Sequence, residues 1–178
     1  MRRLFVAIRP PLPLRALLLE TMGSVSGARW QDDAQLHLTL AFLGEVDEAT
    51  AEALDIALAM INAPPVPLRL QGAGSFASRG RVHSLWIGAE PRDALAALAK
   101  KVRRAAREAG ITVEERAFVP HITIARLNAA SGPVDGFIRQ WNDLASAAHG
   151  VSSFGLYESR LGHGGSAYRL LADYPLQD

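Results

Sequence analysis

His37-Leu38-Thr39-Leu40 and His121-Ile122-Thr123-Ile124 are two copies of one short pattern, set far apart in the chain. In each, a histidine stands two residues before a threonine, and the flanking aliphatic residues favour a β-strand. Strand side chains alternate faces, so His37 and Thr39 share one face while Leu38 and Leu40 point to the other. The same alternation sets His121 and Thr123 over Ile122 and Ile124. Each segment therefore offers an imidazole beside a hydroxyl, anchored from behind by apolar side chains. With five histidines and five threonines in the chain, two chance copies of this spacing are expected in about one per cent of such sequences, so a merely polar outer face is the weaker explanation.

Outward from these segments, Leu4 to Ile8 reads as a first strand and Pro10 to Met22 as a helix, opened by prolines and closed near Gly23. Leu36 to Leu43 is the first motif strand, stopped by Gly44. Ala51, Leu54, Leu58 and Ile61 fall at helical spacing, so Asp47 to Ile61 is expected to be a helix, ended by Pro64-Pro65. Strands around Val66 to Leu70 and Val82 to Ile87 follow, joined by a polar Gly/Ser/Arg loop. The clearest helix is Pro91 to Ala109, with Leu95, Leu98, Val102 and Ala106 on one stripe and Gly110 as its stop. The second motif strand begins after Pro120, and Asp135 to Ala148 reads as a helix. Strands around Val151 to Leu161 and Ala167 to Ala172 end the pattern. Each half thus runs strand, helix, His-Thr strand, helix, strand. The expected architecture is a pseudo-twofold α+β protein, residues 1–178 forming a single domain, with both motif strands central and facing one cleft.

Composition narrows the function classes. Hydrophobic residues make up 49% and charged residues 21%, ordinary for a soluble globular chain. The formal net charge of +1 provides no global basic field, so any attraction to phosphate must be local. The absence of cysteine excludes disulfides, thiolate metal sites and cysteine nucleophiles, and agrees with a reducing compartment. Arg2, Arg3 and the apolar run to Ile8 resemble the start of a signal peptide, but Arg9 and the prolines at 10, 11 and 13 interrupt it too early. A cytoplasmic protein without a membrane span is expected.

Two histidines and two threonines match the needs of phosphodiester cleavage. That reaction requires a base for the attacking oxygen, an acid for the leaving oxygen and donors for the non-bridging oxygens. Imidazole suits both proton roles, because its ordinary pKa of about 6.5 allows one neutral and one protonated copy near neutrality. Threonine hydroxyls supply donors, and the scheme needs no metal or cofactor. Arg126, three residues beyond Thr123, has the fork geometry that suits phosphate. Strict alternation puts it on the opposite face, so it reaches a phosphate only from a bend or strand end. The corresponding residue after the first motif is Phe42. Phe118, just before Pro120, is a candidate for stacking on a base or for the core.

The stretches Leu4 to Ile8, His37-Leu38-Thr39-Leu40-Ala41-Phe42-Leu43-Gly44 and Phe118-Val119-Pro120-His121-Ile122-Thr123-Ile124-Ala125-Arg126 resemble the 2H phosphoesterases. They are most similar to the bacterial and archaeal RNA 2′,3′-cyclic phosphodiesterases, also called 2′-5′ RNA ligases. The closing segments Tyr157 to Leu161, Tyr168-Arg169-Leu170 and Tyr174-Pro175-Leu176 match as well, so the likeness spans nearly the whole chain. The resemblance implies a bilobal α+β fold of two antiparallel sheets flanked by helices, with the active-site cleft between the lobes. It implies opening of a 2′,3′-cyclic phosphate at an RNA or tRNA 3′ end to leave a 2′-phosphate, and the reverse joining of tRNA halves through a 2′-5′ bond. It further implies that His37 donates a proton to the leaving 3′ oxygen and that His121 accepts one from water; the residues themselves do not decide which does which. His83 stands where relatives usually carry an apolar residue.

Other signals carry less. Gly72-Ala73-Gly74-Ser75-Phe76-Ala77 matches the dinucleotide glycine pattern, but a strand rather than a helix follows it. Zinc held by His37 and His121 would need a further ligand, and none is spaced beside either motif. Lys100, Lys101, Arg103, Arg104 and Arg107 read as the solvated face of their helix, with steering of an RNA backbone as the alternative. His149 and His163 read as loop histidines, and Gly162 to Gly165 as an edge of the cleft. Three functions stay open: a cyclic phosphodiesterase for RNA ends, a non-catalytic RNA-end binding module, and a phosphodiesterase for small cyclic nucleotides. A monomer is expected.

Overall fold

The computed structural model describes residues 1–178. In chain order the elements are β1 (Arg2–Ile8), α1 (Leu12–Glu20), β2 (Arg29–Trp30), a 3-10 turn (Asp33–Gln35), β3 (Leu38–Val46), α2 (Glu48–Ala59), β4 (Val66–Ser78) and β5 (Arg81–Glu90). Then follow α3 (Arg92–Glu108), β6 (His121–Arg126), α4 (Asp135–Trp141), β7 (His149–Val151), β8 (Ser153–Gly162) and β9 (Gly165–Pro175). Every strand pairing is antiparallel, in the order β7-β4-β5-β6-β3-β1-β8-β9, with β2 attached to β6.

The resemblance implied two sheets; the hydrogen bonds make one. Its halves, β9-β8-β1-β3 and β6-β5-β4-β7, join at a single pair, Leu38 with Ile122. The lobes are thus two half-sheets that diverge from a shared seam, and that seam carries both motifs.

Alternation along β1 explains the layering. Leu4, Val6 and Ile8 enter a core cluster of 39 buried residues. Phe5 and Ala7 point the other way, into a small cluster with Tyr157. The helices supply the large core: Leu95, Leu98, Val102 and Ala106 of α3 are buried along one stripe, as their spacing predicts. Asp93 in the first turn and Arg107 in the last complement the helix dipole.

Four boundaries differ from expectation, the first being that Gly44 does not stop the first motif strand: β3 pairs with β1 through Gly44 and runs on to Val46. The polar loop expected between Leu70 and Val82 is the far half of a long hairpin, in which β4 and β5 pair as far as Ser78 with Arg81. Arg79 (φ 53°) and Gly80 (φ 75°) form its two-residue turn, a pair of left-handed conformations that matches strand twist and so lets pairing continue to the tip. The helix expected to run to Ala148 ends at Trp141. Its continuation pairs with β4 instead: Gly72 N–H donates to the Leu144 carbonyl (2.8 Å) and Ser146 N–H to the Leu70 carbonyl (3.0 Å). The strand expected from Val151 to Leu161 is two, β7 on β4 and β8 on β1, so His149 begins a strand rather than lying in a loop.

Candidate active site

The seam aligns the two motifs. With Leu38 opposite Ile122, an antiparallel register carried one residue either way sets His37 across from Thr123 and Thr39 across from His121. The imidazoles are then diagonal neighbours, whose backbones stand roughly 7–8 Å apart. All four side chains line one cleft of about 760 Å³.

The face of Arg126 is decided by a β-bulge. Trp86 of β5 pairs with Thr123 and Leu85 with Ala125, so Ile124 is an extra residue in β6. Ile124 and Ala125 are consecutively buried, the alternation resumes one residue out of phase, and Arg126 returns to the cleft that His121 and Thr123 line. β3 does the same thing. Ala7 pairs with Thr39 and Val6 with Ala41, leaving Leu40 as the extra residue, and Phe42 swings into the cleft. The bulges fall at the fourth residue of each motif, and because β3 and β6 are antiparallel they aim Phe42 and Arg126 toward opposite ends of the cleft.

Both imidazoles sit among aromatic edges. Tyr157, Tyr168 and Phe5 surround His37 with ring centroids at 4.6, 5.4 and 6.0 Å, all T-shaped. Phe76 (4.9 Å) and Trp86 (5.7 Å) play the corresponding part at His121. Gly74 makes room there, since a Cβ at that position would lie 2.3 Å from the Trp86 ring. His37 is only 8% exposed, and that burial pulls its pKa down to about 4; the Gln35 carbonyl opposes the fall, while Arg9 and Arg15 reinforce it. Its Nδ1 has no well-aligned hydrogen-bond partner. Burial also lowers the pKa of His121, which the Val119 carbonyl opposes and Arg126 reinforces. His121 Nδ1 lies 2.6 Å from the Val119 carbonyl. A carbonyl only accepts, so Nδ1 carries the proton and the neutral ring keeps Nε2 as its acceptor.

His37 is held through the 3-10 turn before it. Asp32 accepts from Gln35 N–H (3.0 Å), and the Gln35 side chain accepts from Asp32 N–H (3.0 Å), which closes a capping box. Arg9 donates to the Leu36 carbonyl (2.8 Å) and pairs with Asp33 (2.9 Å); Arg15 pairs with the other Asp33 oxygen (3.0 Å). Gln35 also donates to the Ser166 carbonyl (2.9 Å), which ties the tip of the β8–β9 hairpin to the same turn.

Sequence reasoning identified His37, Thr39, His121, Thr123 and Arg126, and the fold brings all five to one cleft. Phe118 is not among its lining residues; it packs against the core with the Arg103 guanidinium 5.6 Å above its ring, so a base-stacking role there is dropped. The basic run of α3 lies away from the cleft as well. Lys101 donates to the Asn62 carbonyl (2.5 Å), and Arg104 pairs with Glu108 (3.0 Å). Unforeseen lining residues include Phe5, Gln35, Ser166 and Tyr168. Only Phe5 and Tyr168 carried a signal, lying inside segments that already matched the family.

The sequence profile of the 2′-5′ RNA ligase superfamily matches residues 10–162. The chain belongs to that superfamily. Its curated relatives include an RNA 2′,3′-cyclic phosphodiesterase of Escherichia coli, 34% identical over 181 residues that cover 98% of this chain and 97% of the relative. Another, from Archaeoglobus fulgidus, is 28% identical over 170 residues, covering 94% and 96%. Among solved structures of the superfamily fold, E. coli LigT in complex with 3′-AMP superposes with a TM-score of 0.80 at 30% identity, covering 99% of both chains. TT0787 of Thermus thermophilus gives 0.79 at 32% identity, covering 98% of both. No helix is long and apolar enough to cross a membrane.

Proposed function

We propose that this protein opens the 2′,3′-cyclic phosphate at an RNA 3′ end and leaves a 2′-phosphomonoester. The observation that carries the reading is the seam: two imidazoles and two hydroxyls meet in one cleft, in a chain whose relatives are named for this activity. Water attacks phosphorus, and its proton passes to Nε2 of His121, the acceptor nitrogen left free by the bond to Val119. The P–O3′ bond breaks, and His37 protonates the departing oxygen. Thr39, Thr123 and Arg126 hold the non-bridging oxygens as charge accumulates. A 5′-hydroxyl in place of water gives a 2′-5′ bond through the same two transfers.

His37 held near pKa 4 is neutral at pH 7 in the free protein. The acid role therefore draws on the substrate: a phosphate anion beside the ring favours its protonated form. The proposal includes a monomeric, cytoplasmic enzyme of two lobes acting as one unit, with protons passed between the two imidazoles and the reacting oxygens and no metal step.

Product analysis on an oligonucleotide ending in a 2′,3′-cyclic phosphate tests it. Wild-type protein should leave a 2′-phosphate with full activity in EDTA, and His37→Ala or His121→Ala should each lose about 10²- to 10⁴-fold in rate. An oligonucleotide that stays bound and uncleaved for hours would instead identify an RNA-end binding module.

A further inference from the structure

We propose that the arm of the cleft built from β1, β3 and β8 is a subsite for the nucleotide upstream of the cyclic phosphate, with Phe42 stacking its base and Arg3 taking the internucleotide phosphate. This rests on reading the histidine pair as the cyclic-phosphate centre.

The cleft is lopsided. From β6 it takes only His121, Thr123 and Arg126, whereas on the other lobe it continues past His37 and Thr39 through Phe42, Arg3, Glu45 and Ser159. A volume of about 760 Å³ suits a sizeable ligand rather than a phosphate group alone. A strand that ends in a 3′-terminal cyclic phosphate continues in one direction only. A cleft with one long arm accommodates that topology, and an internal phosphodiester would need two.

The chemistry of the arm suits a nucleotide. Phe42 is 71% exposed, an apolar ring presented to solvent inside a polar cleft. It is brought there by the Leu40 bulge and backed by Phe5 at 6.4 Å. Every base offers a π-face to such a ring, so stacking there is tolerant of sequence. Arg2 is occupied by Glu48 (3.5 Å) and Glu158 (3.7 Å), and Arg160 by Glu158 (3.0 Å). Arg3 makes no ion pair, even though Glu45 is its cross-strand neighbour. The arm therefore carries one guanidinium free for one phosphate, with acidic groups around it that discourage indiscriminate anion binding.

The test compares kcat/KM on a nucleoside 2′,3′-cyclic phosphate with that on a dinucleotide ending in the same group. Wild-type protein should favour the dinucleotide by about tenfold or more, the effect of one added stacked base. Phe42→Ala and Arg3→Gln should each reduce that ratio about fivefold or more, whereas Phe42→Trp retains it. Raising salt should shrink the wild-type ratio and leave that of Arg3→Gln unchanged. Equal kcat/KM on the two substrates, or variants that keep the full ratio, would overturn the subsite. If wild-type protein turns over neither substrate, the catalytic reading fails instead. Calorimetric binding of a mononucleoside 2′-phosphate and the corresponding dinucleotide then decides the subsite: a dinucleotide advantage lost in both variants upholds it, and equal binding refutes it.

Discussion

Acid should destabilise this protein through His37 at pH values where the depressed carboxyls of Asp33 and Asp47 are still ionised. Burial holds the ring's pKa near 4 in the fold, against 6.5 in a solvated chain. Between those values the unfolded chain binds the proton and the folded one resists it. The stabilisation is thus complete above pH 6.5 and is lost as pH falls toward 4. At 1.36 kcal/mol per pKa unit the loss amounts to about 3 kcal/mol, a large share of the stability of an ordinary domain. His121 adds a smaller loss of the same sign. Asp33 and Asp47, whose pKa values lie below 3.8, contribute only at still lower pH. Urea denaturation near pH 7.5 and near pH 4.5, at constant ionic strength, isolates the effect when wild type is compared with His37→Gln. The variant should lose about 2–3 kcal/mol less than wild type over that interval. Parallel losses in the two proteins would show that His37 is solvated, and the argument that substrate must supply its proton would fall with it.

Three further outcomes follow. Both imidazoles are depressed, so kcat/KM should peak on the acid side of pH 6.5, and its basic limb should shift upward in the kcat profile, where bound phosphate holds the proton on His37; a free-enzyme limb above pH 7 would contradict this. Asp33→Ala removes the carboxylate that pairs with both Arg9 and Arg15 beside the turn that positions His37, leaving Arg9 only its bonds to backbone carbonyls, and should lower kcat about tenfold or more with little change in KM, Asp33→Glu recovering part of it. Gly74→Val forces the Trp86 ring off its seat and removes an aromatic edge from His121, and should cost about 1–3 kcal/mol by thermal denaturation.

Features whose physics is local were legible in the residues alone. Alternation placed His37 with Thr39 and His121 with Thr123, apolar spacing marked α3, and the repeated motif implied a shared cleft. The partners of those residues were beyond the reach of sequence. A bulge exists only relative to a neighbouring strand, so nothing in Ile124 or Leu40 announces that Arg126 and Phe42 will turn inward. The hairpin of β4 and β5 looked like a loop because its polar residues lie near the exposed tip, where pairing replaces burial as the stabilising term. Phe118 shows the converse: beside a motif in the chain, it is packed against the outside of the core by the fold, away from the cleft. Tertiary structure also decided the chemistry's set-point, because an imidazole's pKa depends on how much water is left around it, and Phe5, Tyr157 and Tyr168 come from three different strands to exclude it from His37.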